Sequence, residues 1–343
     1  MKARNRTRRG ERIVARKIPA DLLAAMAVCL AAVLLAGTYG PIGPFVHTVK
    51  QAAAMEALTG DKQGDKLLEW IEAEAAKRSQ PPIDAVIDRV WKAIPEYEGR
   101  IVDIRATYLK AKLIGSAPNS GEGFPWVYRI VRPKVSLKDL PTHPIYRGNA
   151  AKPAVGLMIN VAWGEEYLPE ILRILQEEGV KATFFFDGTW LSKNMDTAKK
   201  MIAQGHEASN HAYTHPDMSK LGAERQRQEI GKTEQLLKQL GVKNVWFAPP
   251  SGSYNDQTIR VSAEYGLTTV LWTLDTIDWQ KPAPESVVAK VSRKVGPGSL
   301  ILMHPTSTTA GALRGMIKAI KARGYIPGTV SQTLSPERLE DRL

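Results

Sequence analysis

Between residues 155 and 329 the chain alternates short apolar runs with longer amphipathic stretches, and this rhythm restricts the fold more than any other feature. The apolar runs fall at 155–160, 182–186, 245–247, 269–272, 300–303 and 325–329, with a shorter one near 206–208. Helical spacing of apolar side chains fills the intervals at 168–178, 192–203, 223–240, 257–265, 285–295 and 310–323. Asn255 and Asp256 supply an N-cap for the fourth of these helices. Strands separated by crossover helices pair in parallel, so an α/β sheet or barrel with helices outside is expected. In such folds the chemistry gathers at the C-terminal ends of the strands.

Three polar constellations fall there. His211-Ala-Tyr-Thr-His215 places two imidazoles at i and i+4, which on a helical turn would face one way and suit a Zn²⁺-like ion. Asp275-Thr-Ile-Asp278-Trp279 follows the apolar run ending at Trp272, and a loop with an N-cap is the bland alternative. Leu302-Met303-His304-Pro305 ends a buried strand, where a lone histidine is often just a satisfied core group. The single cysteine, Cys29, leaves no intramolecular disulfide, cysteine zinc site or iron–sulfur cluster, so any metal must be held by His, Asp, Glu or Asn.

Taken together and in order, these residues resemble the polysaccharide deacetylases, the NodB-homology domain of family-4 carbohydrate esterases. The text that carries the resemblance is Lys181-Ala-Thr-Phe-Phe-Phe, Gly205-His-Glu-Ala-Ser-Asn-His211-Ala-Tyr-Thr-His215-Pro, Pro249-Pro250-Ser251-Gly252, Trp272-Thr-Leu-Asp275-Thr-Ile-Asp278-Trp279 and Leu302-Met303-His304. The resemblance implies a distorted (β/α)7 barrel over 151–331. It also implies metal-assisted hydrolysis of the acetamide of N-acetylated glycans, either peptidoglycan or a chitin-like polymer. In that reading His211 and His215 hold a divalent Zn- or Co-type ion, which polarises the carbonyl and acidifies bound water. His304 protonates the leaving amine, with Asp278 and Asp275 pairing to it. Asn160, Pro250, Ser251, Trp279 and Leu302 line the substrate pocket, the backbone near Ser251 helping to hold the oxyanion.

The departures matter as much. Where the family carries Asp-Asp at the end of its first strand, this chain has Asn160-Val161, and Ala248 stands where an Arg normally holds the base. A register moved to bring Gly164 onto the family glycine puts Ala162 and Trp163 there instead. An amide cannot accept water's proton as a carboxylate does, and loss of a general base removes about 10²–10⁴-fold in rate. Two histidines without an anionic ligand should hold a hard or borderline cation weakly or not at all. Weak or lost activity follows, unless Glu165, Glu166 or Asp217 substitutes. A non-catalytic glycan-binding or scaffold protein is the competing expectation, and metal-free hydrolysis through His304 and Asp278 is a third.

The N-terminal part reads differently. Residues 1–21 form a basic leader: positions 1–20 carry eight Lys and Arg against Glu11 alone, seven of the twelve net positive charges. Charge confined to a leader does not make a nucleic-acid groove, so no nucleic-acid partner is expected. Residues 22–39 contain no charge and, at about 1.5 Å per residue, would span about 27 Å of a bilayer of about 30 Å. A signal-anchor with the C-terminal domain outside the membrane is expected, a cleaved signal peptide being the alternative. Residues 40–80 read as a stalk, helical from about 66 to 77. Residues 81–140 read as a small α+β unit in which Ile83, Val86, Ile87, Val90 and Trp91 have helical spacing and 127–135 begins as an edge strand. A Pro/Gly/Asn-rich linker at 141–153 follows. Anchor and small unit together look most like the sporulation-associated YlxY-like subgroup.

Overall fold

The computed structural model describes residues 66–118 and 123–339. The expected anchor at 22–39, the leader and most of the expected stalk lie outside the described residues. Among the described residues no helix is long and apolar enough to cross a membrane.

The elements in chain order are α1 (Lys66–Arg78), β1 (Val86–Asp88), β2 (Lys92–Ile94), β3 (Gly99–Val102), α2 (Ile104–Leu113) and β4 (Tyr128–Val131). Next come β5 (Ala154–Val161), α3 (Leu168–Glu177), β6 (Thr183–Phe186), α4 (Gly188–Lys193), α5 (Met195–Ala203), β7 (Glu207–Asn210), α6 (Ala223–Gln239) and β8 (Trp246–Phe247). The chain ends through α7 (Asp256–Glu264), β9 (Thr268–Thr269), β10 (Leu274–Asp275), α8 (Pro284–Lys294), β11 (Leu300–Met303), α9 (Ser307–Ala322), β12 (Ile326–Gly328) and α10 (Val330–Leu334).

Eight parallel strands form one sheet in the order β10-β11-β5-β6-β7-β8-β9, with β12 also on β5. Seven strands were expected. The extra one arises because the run expected as a single strand at 269–272 divides. Thr268 and Thr269 pair with β8, whereas Leu274 and Asp275 pair with β11 at the other end of the sheet. Five peptide units separate Thr269 from Leu274, so they lie no more than about 17 Å apart. That tether forces the sheet to curl. β5 is buried along its whole length and sits at the centre. Val155, Leu157, Ile159 and Val161 enter one large apolar cluster with the helices, and Met158 enters a second cluster with Phe185, Ile145 and Leu300. Two-residue alternation is the direct cause.

Residues 141–153, expected as a linker, fill the seam between the ends of the curled sheet. Ile145 N–H donates to Thr269 O, and Leu271 N–H donates to Ile145 O. Gly148 N–H then reaches Gly298 O beside β11. Ile145 is fully buried in the barrel interior, and Lys92 of β2 bridges to it. Edge groups left open at the seam would cost free energy, and this segment satisfies several of them.

The helix expected from the spacing at 83–91 is instead the β1–β2 hairpin, paired from Val86↔Ile94 to Asp88↔Lys92. Asp88 Oδ1 accepts from the N–H groups of Val90 and Trp91, and Lys92 takes a left-handed φ of +59°. The short acidic side chain closes the turn locally and outcompetes a helix. Val86, Ile87 and Val90 remain exposed. β4 pairs only with β3 and is an edge strand, as the sequence indicates. α1 covers the expected helical stretch, burying Ile71 and Ala75.

Candidate active site

Polar residues at or just beyond the C-terminal ends of β5, β6, β7, β8, β10 and β11 surround one end of the barrel. A cavity of about 390 Å³ opens there, lined by Asn160, His211, His215, Asp275, Trp279 and His304 among others. Ser251, Leu302, Ala162, Trp163 and Trp272 complete its wall. Eight of the ten expected site residues therefore converge. Pro250 is buried beneath the turn Pro250–Gly252, and Asp278 lies behind His304. Glu165, Glu166 and Asp217 do not line the cavity. Asp217 is occupied by Ser219, Ser253 and Lys220.

His211 and His215 do not sit on a helical turn. Ala212 and His215 adopt left-handed φ of +61° and +55°, and the loop after β7 is non-helical. The buried Glu229 carboxylate of α6 holds this loop, accepting from Tyr213 N–H at 3.1 Å, Thr214 N–H at 2.7 Å and the Thr214 hydroxyl at 3.0 Å. Asn210 Oδ1 accepts from Ala212 N–H. The two rings still meet, their centroids 5.1 Å apart at 71°. His211 Nδ1 donates to Ala248 O at 2.7 Å, leaving Nε2 as a lone-pair acceptor. Burial, reinforced by His215, drives its pKa down to about 3, so the ring is neutral at ordinary pH.

The other half of the site is a hydrogen-bonded His–Asp pair. Asp278, fully buried, accepts from His304 N–H (2.9 Å), His304 Nδ1 (2.9 Å), Thr306 Oγ1 (3.0 Å) and Thr309 Oγ1 (2.8 Å). Burial alone would raise its pKa, yet the bonds from His304 and Thr309 outweigh that and hold it below the ordinary carboxylate range. With Nδ1 engaged by Asp278, His304 presents Nε2 to the cavity. The Trp163 ring lies parallel to it at 6.0 Å. Asp275 does not reach the imidazole through any such bond. Its Oδ1 accepts from Ile277 N–H and its side chain faces the cavity.

The residues at the end of β5 decide the chemistry. Asn160, 3% exposed, lines the cavity with a carbonyl oxygen that has no hydrogen-bond partner. Val161 points away, into the apolar cluster shared with the helices. Among the described residues, no three His, Cys, Asp or Glu side chains are grouped to hold a metal ion. Two neutral imidazoles and one neutral amide oxygen offer no anionic ligand, and an amide oxygen is a weak third partner for a Zn- or Co-type ion. The donor set present does not fit a resident ion. Asp187, at the end of β6, escaped the sequence reading although a polar residue at a strand end was the available signal. It is buried, caps α4 by accepting from Trp190 N–H, and leaves Oδ2 unpartnered. Burial raises its pKa while the hydroxyl of Thr189, the Trp190 N–H and the neighbouring His215 pull it back.

Gly164 sets the loop that carries Trp163 over His304. Its φ is +81°, and a Cβ there would collide with the carbonyl oxygen of Pro305. Gly164→Ala is expected to lower stability by about 2 kcal/mol or more and to displace Trp163. Denaturant unfolding, with tryptophan emission as the second readout, checks both.

A parallel α/β half-barrel bearing a buried His–Asp pair and a histidine couple at its strand ends defines a class, and the chain belongs to the polysaccharide deacetylase family. The family model for polysaccharide deacetylase matches residues 147–270. The YlxY protein of Bacillus subtilis is 45% identical over 296 residues, 85% of this chain and 92% of that protein. A chitooligosaccharide deacetylase of Sinorhizobium fredii is 32% identical, over 54% of this chain and 94% of that one. Wild-type BA3943 of Bacillus anthracis, described as a CE4 family pseudoenzyme, superposes with a TM-score of 0.75 at 42% identity, covering 80% of this chain and 97% of its own. A mutant of BA3943 described as having restored enzymatic activity gives 0.74 at 40% identity, covering 80% and 100%.

Proposed function

We propose that this protein binds an amino-sugar polymer of the cell wall, of peptidoglycan or chitin type, with deacetylase activity weak or lost. The observation that carries this reading is the neutral Asn160, its carbonyl oxygen unpaired in the cavity, together with Val161 in the apolar core. Those two positions are where the family resemblance calls for a base and an anionic ligand. The cavity wall of Trp163, Trp272 and Trp279 supplies flat apolar faces for sugar rings. Peptidoglycan and chitooligosaccharide deacetylases among the relatives point to the same polymers. Resemblance to a BA3943 pseudoenzyme supports loss of the reaction rather than of the groove. The uncharged stretch 22–39 behind a basic leader supports attachment to the cell membrane with this domain outside, in cell-wall or spore formation.

The intact His304–Asp278 pair favours residual hydrolysis as a second reading, since an acid for the leaving amine is still positioned. The test is acetate release. Full-length protein incubated with N-acetylglucosamine oligomers and zinc is expected to release acetate no faster than buffer, yet to co-sediment with purified peptidoglycan. A rate that His304→Ala abolishes would overturn the non-catalytic reading.

A further inference from the structure

Three hydrogen-bond acceptors line the cavity. Asn160 presents an unpartnered, buried carbonyl oxygen. His211 has committed its only N–H to Ala248 O, so its second nitrogen offers a lone pair. Among the described residues, Asp275 is the single carboxylate on the wall, and no Lys or Arg accompanies it. Toward these acceptors an ammonium brings three donors and one positive charge, whereas a carbonyl oxygen brings neither. The faces of Trp163 and Trp279, both about half exposed, add a cation-stacking surface at the mouth.

Resting on the reading that the cavity takes an amino-sugar polymer, we propose that it selects the free-amine form: glucosamine units from which the acetyl group has already been removed. The ligand is therefore the product of an amide hydrolysis performed by another protein, and this chain reads the result. Asn160 Oδ1, His211 Nε2 and the Asp275 carboxylate hold the ammonium, and the tryptophans carry the ring. Non-specific attraction does not account for such binding, because the chain itself carries a net charge of +12 and repels a cationic oligomer.

The experiment is calorimetric titration of the full-length protein, at pH 6.5 and physiological salt, with the glucosamine tetramer and with the N-acetylglucosamine tetramer. The glucosamine tetramer is expected to bind at least roughly tenfold more tightly, the discrimination of one charge-assisted hydrogen-bond set. Asp275→Asn retains an acceptor for Ile277 N–H, and Asn160→Leu keeps the cavity filled. Each is expected to cut the preference at least about threefold with the melting transition intact. Equal or tighter binding of the acetylated tetramer overturns the selection while leaving glycan binding in place. Binding of neither oligomer overturns both, and a preference untouched by both substitutions places the amine elsewhere and overturns the assignment.

Discussion

Replacing Asn160 and Val161 by Asp and Ala248 by Arg together is expected to make the protein's stability depend on zinc. Val161 is fully buried in the apolar cluster, so a carboxylate there without a partner costs about 3–5 kcal/mol. A divalent ion held jointly with His211 and His215 neutralises it, and saturating ion at about a thousandfold over Kd returns about 4 kcal/mol. At roughly 2–4 °C per kcal/mol for a domain of this size, zinc should raise the variant's Tm by about 10 °C and the parent's by almost nothing. Acetate release should appear only in the variant that melts higher with zinc, because base and ligand arrive together. Scanning calorimetry with zinc and with chelator decides it. A triple variant indifferent to zinc would mean that position 161 cannot turn toward the histidines.

The second large effect is acid sensitivity. Burial drives the pKa of His206 down to about 4 and that of His211 to about 3, and that of His215 is lowered too. Hydrogen bonding agrees, since His206 Nδ1 accepts from Ala182 N–H at 3.2 Å and can do so only when that nitrogen is unprotonated. These groups take up protons in the unfolded chain near pH 6.5 while remaining neutral in the fold. Their contribution is complete above pH 6.5 and is lost as pH falls toward 4, at about 2 kcal/mol each by pH 5 for His206 and His211. Asp278 acts in the same direction at lower pH, its depressed pKa stabilising the fold above about pH 4. Urea unfolding at pH 7.5 and pH 5 should differ by about 4 kcal/mol. His206→Asn, which keeps an acceptor for Ala182 N–H, should remove roughly half of that difference. A flat profile between those pH values would refute the buried neutral rings.

Much of the barrel was legible because strands buried on both faces read as unbroken apolar runs. The runs at 155–160, 182–186 and 300–303 appear as β5, β6 and β11 within a residue or two, and Asn255 caps α7 as expected, its Oδ1 accepting from Thr258 N–H. What failed was whatever a local turn decides. The spacing at 83–91 satisfies a helix as well as a strand pair, and the Asp88 turn settled it. The histidine couple lines the cavity but on a backbone other than the expected helical turn, because the Glu229 clamp that folds its loop comes from α6, fourteen residues beyond His215.

The sequence by itself determined the strand-and-helix order, the residues that gather at the strand ends, and the uncharged pair at positions 160 and 161. These are local facts, set by side-chain type and by periods of two and 3.6 residues. Only the tertiary structure decided that Asn160 faces the cavity while Val161 joins the core, and that Ile145 and its neighbours seal the seam of the curled sheet. It alone set Asp275 on the wall of the cavity and Asp278 behind His304. Which face a strand turns inward, and which distant segment completes its hydrogen bonds, depend on contacts between residues more than a hundred positions apart that no local pattern encodes.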